Sequence, residues 1–149
     1  MSNPYLLFLI ALLAGAMMPT QAATNNKMAA FVESPILAAF ISFVVGTVAL
    51  FAYVLISGES ISNLSLAKGA PPIAWVGGLL GAFFVAAAVT LLPRLGVAMT
   101  FSLIIAGQMI VTLIIDHFGL LGVPVKAISF ARIAGILLIT GGVILIRRF

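Results

Sequence analysis

The sequence contains no cysteine, one histidine and only three acidic residues. The lack of cysteine excludes disulfides and thiolate metal sites, and the lone His117 cannot form a histidine cluster. Only 7% of the 149 residues are charged, against about a quarter in soluble domains, so a soluble domain is excluded. The basic residues form no dense patch. We therefore expect no cofactor, no metal site and no nucleic acid partner.

What the sequence has instead is apolar surface. Hydrophobic residues make up 64% of the chain, which predicts an all-α integral membrane protein. Apolar runs separated by proline, glycine and serine predict five transmembrane helices in a single transmembrane domain, residues 1–149. Their approximate bounds are residues 4–31, 35–56, 72–92, 96–118 and 127–147. No lysine or arginine precedes Lys27, so the first run lacks the basic start of a secretory signal and is predicted to be a retained helix.

The fourth apolar run, residues 95–118, carries a polar side chain at every fourth position over its second half. Gln108, Thr112 and Asp116 share one helix face, and such a face avoids lipid, so we predict that it lines a substrate path. The alternative is that Gln108 and Thr112 only join helices by hydrogen bonds while Asp116 lies among the headgroups. A deep Asp116 needs a cation, for which Arg132 is the nearest candidate, or acts as a proton acceptor.

The second half of the first helix carries another polar face. Gln21 and Asn25 are four residues apart, and Met17 lies one turn before them. Pro19 removes a backbone hydrogen bond beside this face and predicts a kink. Gln21 and Asn25 are therefore candidate substrate-binding residues, with an ordinary polar helix end as the alternative. Trp75, near the start of the third helix, is either a headgroup anchor or a wall of the same pocket.

Small residues at four-residue spacing predict where helices approach closely, because small side chains let two backbones come together in lipid. The predicted helix-packing positions are Ser42, Gly46, Gly77, Gly81 and Gly135. We expect these residues to act in packing rather than in binding.

The basic residues give almost no preference for one orientation in the membrane. Five helices place the two termini on opposite sides, with three basic residues on one side and four on the other: Lys68, Lys126 and Arg132 against Lys27, Arg94, Arg147 and Arg148. Such an even split of basic residues predicts that the chain inserts in both orientations. An inward and an outward copy would then form an antiparallel homodimer. The second copy would also supply the additional helices needed to enclose a cavity, for which five short helices are too few.

Several short motifs follow one another along the whole chain: Asn3-Pro4-Tyr5, Gln21, Asn25, Ser42-Phe43, Gly46-Thr47, Trp75, Gly77-Gly78, Gly81, Gly107-Gln108, Asp116 and Gly119. Their order and spacing resemble the drug/metabolite transporter superfamily, and within it the small five-helix YdcZ-type family of inner membrane exporters. Members of that family occur as single antiparallel-pairing chains or as fused two-repeat proteins. The resemblance implies a small-molecule exporter in the bacterial inner (plasma) membrane.

The last three helices also resemble those of the small multidrug resistance transporters. The proton-coupling glutamate that this second family carries in its first helix has no counterpart here, because residues 11–16 contain no carboxylate. The resemblance therefore does not imply proton-coupled export of cations.

These patterns predict a secondary transporter that works by alternating access, with helices one and four lining the cavity. Its expected partners are a second copy of the chain, membrane lipid and an unidentified small molecule. We expect no enzyme, because the sequence has no nucleophile beside a histidine and the adjacent Asp116 and His117 point about 100° apart on a helix. A passive pore or an assembly subunit of a membrane complex is the alternative function.

Added charge tests the dual topology. Two lysines introduced into residues 57–71 are expected to favour one orientation and to suppress activity, because basic loops stay in the cytoplasm. Co-expression of a copy biased the other way should restore activity. Reporter fusions measure the orientation, and a wild-type chain found in a single orientation would rule out the prediction.

Overall fold

The computed structural model describes residues 3–148, and within them it contains only helices, turns and loops. The elements are α1 (Pro4–Val32), α2 (Pro35–Ser57), a 3-10 segment (Ile61–Gly69), α3 (Pro72–Leu95), α4 (Val97–Phe118), a short 3-10 turn (Leu120–Gly122) and α5 (Phe130–Arg148). Helices α1 to α4 are long and apolar enough to cross a bilayer, and α5 is a shorter apolar helix. The predicted all-α membrane architecture is confirmed. The homodimer stays a prediction.

Caps and prolines define where the first two helices begin and end. Asn3 and Ser34 each precede a proline, and their side chains accept hydrogen bonds from the backbone N–H groups of Tyr5 at 3.0 Å and Leu37 at 3.2 Å. These bonds satisfy donors that have no partner inside the helix. At the other ends, Glu33 and Gly58 adopt left-handed conformations that stop α1 and α2.

Two predicted boundaries are wrong. Helix α3 does not end at residue 92 but continues through Pro93 to Leu95. Only the last residues of the helix follow this proline, so little helical structure depends on the backbone bond that it removes. Helix α5 begins at Phe130 rather than at residue 127, because Ser129 caps it: the side-chain oxygen of Ser129 accepts a hydrogen bond from the backbone N–H of Arg132 at 3.3 Å.

A single residue, Gly96, separates α3 from α4. Its φ of 77° and ψ of 165° lie in a region that is open essentially to glycine alone. The chain forms two compact units that divide between Pro93 and Arg94. The amino-terminal unit holds α1, α2 and nearly all of α3, and the carboxyl-terminal unit holds α4 and α5. A single transmembrane domain remains a prediction.

The core of the amino-terminal unit consists of small and medium side chains. Ala39 of α2 lies with Val85 and Val89 of α3 in a buried cluster, and Ala29 of α1 packs against it. Ala38 is also almost fully buried. Alanine at these positions lets the helices approach closely, which is the usual basis of helix packing in lipid.

The carboxyl-terminal unit is a helical hairpin in which α4 packs along α5. Gly119 ends α4 with a φ of 59°, and the chain then folds back over this glycine. A Cβ atom placed on Gly119 would lie 2.7 Å from Cγ2 of Val125. Both the backbone conformation and the lack of space therefore require glycine here.

Many large apolar side chains are exposed on the surface of the chain, as expected of a membrane protein. Tyr5, Leu12 and Phe83, for example, are 78%, 73% and 75% exposed. Such surface is stable only against lipid or against another protein surface.

Substitution of Gly119 tests the hairpin. Gly119→Ala should destabilise the protein by at least about 1–2 kcal/mol, because alanine disfavours the left-handed conformation and its Cβ would collide with Val125. Gly107→Ala is the control, since nothing lies within 4 Å of a Cβ there and alanine favours the interior of α4. Thermal unfolding in detergent measures both, and equal melting temperatures for the two variants would contradict the account.

Candidate functional site

An ion pair joins the two helices of the carboxyl-terminal unit. Asp116 lies in the last turn of α4 and Arg132 in the first turn of α5. The guanidinium Nη2 donates to the carboxylate Oδ2 at 2.8 Å, and the side chains are 32% exposed for Arg132 and 22% for Asp116. The structure thus brings Asp116 to the arginine that the sequence named as its nearest candidate cation.

Each of these charges lies at the unfavourable end of its own helix. A carboxylate near a helix carboxyl terminus meets the negative end of the dipole, and a cation near an amino terminus meets the positive end. Each side chain therefore needs an opposite charge, and the other side chain supplies it. Removal of either side chain leaves the other charge without an opposite charge at the unfavourable end of its helix.

Backbone hydrogen bonds hold the ion pair in place. Nη1 of Arg132 donates to the carbonyl oxygen of Lys126 at 3.1 Å, while the N–H of Lys126 donates to the carbonyl oxygen of Asp116 at 2.8 Å. The N–H of Ile128 donates to Nδ1 of His117 at 3.3 Å. The segment between α4 and α5 is thereby fixed against the end of α4.

A cavity of about 200 Å³ lies beside the ion pair, between α4 and α5. It is lined by Met109, Thr112, Leu113, Asp116, Arg132, Gly135, Ile136 and Ile139. Thr112 and Asp116 share this lining, as their four-residue spacing implies. Gln108 is exposed on α4 and is not among the lining residues. The cavity is apolar along most of its length and charged at one end.

A second polar feature lies in the amino-terminal unit, in a narrow cleft between α1 and α3. The cleft is lined by Met18, Gln21, Ala22 and Asn25 of α1 and by Phe84, Val85 and Ala88 of α3. Asn25 is only 8% exposed, and its Nδ2 has no hydrogen-bond partner. Gln21 is exposed one turn away. The structure therefore places both predicted amides at one cleft.

Several side chains of these two sites were not found from the sequence. Met18, rather than the Met17 that we placed on the polar face, lines the cleft, and Met17 is 57% exposed. The signal was present, because Met18 and Asn25 are seven residues apart and therefore share a helix face. Phe84 carried no signal of its own among the apolar residues of α3. Its role depends on which face of α3 meets α1.

Trp75 lies in the first turn of α3 and is 63% exposed. The cleft is formed by residues of α3 from Phe84 onward, more than two turns away. The structure does not bring Trp75 to Gln21 and Asn25. Its pocket role stays a prediction.

The predicted packing residues lie in different surroundings. A Cβ on Gly81 would lie 3.5 Å from the Phe43 ring, whereas nothing described lies within 4 Å of one on Gly77. Ser42 and Gly46 are half-buried. Gly135 lines the cavity beside the ion pair.

Comparison with known proteins identifies the chain's relatives. The model of a family described as "Putative inner membrane exporter, YdcZ" matches residues 6–145. The chain belongs to this family. The inner membrane protein YdcZ of Escherichia coli (strain K12) is 38% identical over 71 residues, which cover 48% of each chain. The match thus spans about half the length of this curated relative.

No solved structure matches the chain. Membership of the family confirms the resemblance found in the sequence, and the apolar helices agree with it. The protein is accordingly a multi-pass protein of the inner membrane.

A double substitution tests the ion pair. Asp116→Asn should destabilise the protein by about 1–3 kcal/mol, because it leaves a partly buried arginine without its carboxylate. Arg132→Gln in the same chain should restore part of the loss, since no unpaired charge then remains. Lys126→Gln is the matched control, because that exposed side chain can lose its charge at little cost.

Thermal unfolding in detergent measures the stability of the three variant proteins. An Asp116→Asn protein as stable as the wild type, with unchanged pH dependence of flux, would return Asp116 to the membrane surface and reject both the ion-pair and the proton-acceptor roles.

Proposed function

We propose that the protein is a secondary transporter that exports a small molecule by alternating access. Two copies in opposite orientations form the transport unit, and the polar faces of α1 and α4 line the path. The observation that carries this proposal is the match of residues 6–145 to the family described as "Putative inner membrane exporter, YdcZ". The protein is a carrier rather than an enzyme.

The polar side chains of the two units support the proposal. In an apolar chain, polar groups are costly in lipid and tend to mark a path for polar cargo. Asn25 lies in the cleft between α1 and α3, and Asp116 and Thr112 line the cavity beside Arg132. Gln21 and Gln108 continue the same helix faces by sequence. Each unit thus holds one polar recess of its own.

Charge and surface support two oppositely oriented copies. The basic residues divide three against four between the two sides, so neither orientation is strongly preferred. Exposed side chains such as Phe83 and Leu138 leave apolar area for a second copy to cover. An inverted pair also reproduces the symmetry that larger carriers build within one chain, with a site near the membrane midplane.

Reconstituted flux tests the carrier mechanism. A thermal-stability screen against metabolites and toxic cations identifies a ligand, since a ligand at 100 times its dissociation constant stabilises by about 2.7 kcal/mol. Purified protein in vesicles should then show saturable uptake of that ligand and counterflow against an excess inside. Linear, unsaturable flux would indicate a pore. Loss of another protein's stability on deletion, without flux, would indicate an assembly subunit.

Gln108 separates a path-lining role from a packing role. Gln108→Ala should weaken binding of the ligand and leave assembly nearly intact, because hydrogen bonds between membrane helices contribute on average only about 0.6 kcal/mol. Ile110→Ala is the control, since Ile110 is 53% exposed and points away from the polar face. Ligand titration and size-exclusion chromatography measure the two effects. Unchanged binding with a dissociated dimer would assign Gln108 to packing.

A further inference from the structure

The ion pair between α4 and α5 leaves hydrogen-bonding groups unused on both of its charges. Arg132 donates from Nη2 to Oδ2 of Asp116 and from Nη1 to the carbonyl oxygen of Lys126. A guanidinium has more N–H donors than these, and the others have no partner within the described part of the chain. Oδ1 of Asp116 likewise accepts no hydrogen bond from a described residue. Both side chains line the cavity of about 200 Å³ and are partly exposed, so a ligand in the cavity can reach them.

The hydroxyl of Thr112 is a further unused group in the same cavity. Other helical threonines donate from their hydroxyl to the backbone carbonyl oxygen four residues earlier, at 2.7 to 2.9 Å: Thr20, Thr47, Thr90 and Thr140. Thr112 makes no such bond with any residue that the structure describes, although it lies inside α4. Its hydroxyl is therefore available to a molecule in the cavity, one helical turn from Asp116.

We propose that this cavity binds a small zwitterion, with an ammonium and a carboxylate at one end of an apolar body, as in an α-amino acid with an apolar side chain. The proposal rests on the proposed transport function and names the class of its substrate. The ammonium of the ligand donates to Oδ1 of Asp116 and to the hydroxyl oxygen of Thr112. The carboxylate of the ligand accepts from the free N–H groups of Arg132, and the ion pair itself stays closed.

The charges of the lining determine the charge of the ligand. Among the lining residues only Asp116 and Arg132 are ionisable, and their charges cancel. A ligand with a net charge would leave that charge uncompensated between mostly apolar walls, which is costly. A zwitterion adds no net charge, and each of its ends meets an opposite charge. An uncharged molecule also adds none, but it forms weaker bonds because neither of its ends is ionised.

The space in the cavity sets the size of the apolar body. A cavity of about 150 Å³ holds a benzene ring, so a volume of about 200 Å³ accepts a body of the size of leucine. The body would lie against the apolar side chains that line the cavity: Met109, Leu113, Ile136 and Ile139. Gly135 also lines it, and nothing described lies within 4 Å of a Cβ at this position. The space beside Gly135 is therefore open to the ligand.

Four probes with one branched apolar body test the proposal on the full-length protein in detergent. Leucine carries both charges, isopentylamine only the ammonium, isocaproate only the carboxylate, and isocaproamide neither. Leucine at millimolar concentration should raise the melting temperature more than any of the other three. A lack of stabilisation by leucine, or equal stabilisation by a probe that lacks one or both charges, would overturn the proposal.

Thr112→Val tests the hydroxyl. The substitution keeps the shape of the side chain, and no described hydrogen bond is lost, so the ligand-free protein should melt at the wild-type temperature. The dissociation constant for leucine should rise about tenfold, because a hydrogen bond to a charged group is lost. Thr140→Val is the matched control on α5, since Thr140 does not line the cavity, and it should leave leucine binding unchanged.

Gly135→Val tests the space. The added side chain occupies part of the cavity without meeting a described atom within 4 Å of its Cβ, so the protein should still fold and leucine should bind at least about tenfold more weakly. Gly107→Val makes the same change on α4 outside the cavity and should leave leucine binding unchanged. Leucine binding that neither Thr112→Val nor Gly135→Val weakens would overturn the proposal, because leucine would then bind elsewhere.

Counterflow in vesicles distinguishes this inference from the transport function. Saturable counterflow of a compound that is not a zwitterion, unchanged by Thr112→Val, would overturn the inference and leave transport standing. Leucine binding that depends on Thr112, in a protein without counterflow of any compound, would overturn transport and leave the site standing.

Discussion

The exclusion of water from the hydrocarbon core is the constraint on which the rest of this structure depends. A polar side chain in lipid finds its partner inside the protein or remains costly. The two polar recesses meet this constraint differently. Asp116 has Arg132 at 2.8 Å, and backbone groups of the intervening segment hold that pair. Asn25 has no partner for its Nδ2. The first arrangement is complete within one copy of the chain, and the second is not.

The same constraint explains why the units are held by small side chains and by hydrogen bonds. Lipid tails are as apolar as leucine, so burial of large apolar side chains gives little drive for helices to associate. The buried cluster accordingly uses Ala39, Val85 and Val89, and larger residues such as Phe83 stay exposed. The hairpin of α4 and α5 adds an ion pair and the glycine turn at Gly119. The exposed apolar surface is available for contact with a second copy of the chain, which fits the proposed dimer.

Local signals were sufficient to predict much of the fold. Asn3 and Ser34 before prolines located the starts of α1 and α2, and four-residue spacing placed Thr112 with Asp116 and Gln21 with Asn25. What the sequence could not locate depends on contacts between distant residues. The segment before α5 folds back onto the end of α4 because the N–H of Lys126 bonds to the carbonyl oxygen of Asp116, and no local rule contains that bond.

The position of Phe84 has the same origin. The sequence does not distinguish which apolar residues of α3 face α1, because the packing of the two helices determines this. The family could be identified from ordered motifs spread over the chain, since membership depends on residue types at fixed positions rather than on contacts.

The proposed antiparallel pair can be measured directly, because the chain has no cysteine and a single introduced one can be labelled without background. Asn63 lies exposed in the 3-10 segment between α2 and α3 and is a suitable site for Asn63→Cys with a spin label. Double electron–electron resonance then gives the distance between the two labels of a dimer in lipid. Two opposed copies place the labels on opposite sides of the membrane, so the account predicts a distance of at least about 40 Å, the thickness of a bilayer with its headgroups. A distance well below 30 Å, or no dipolar signal between labels, would contradict it.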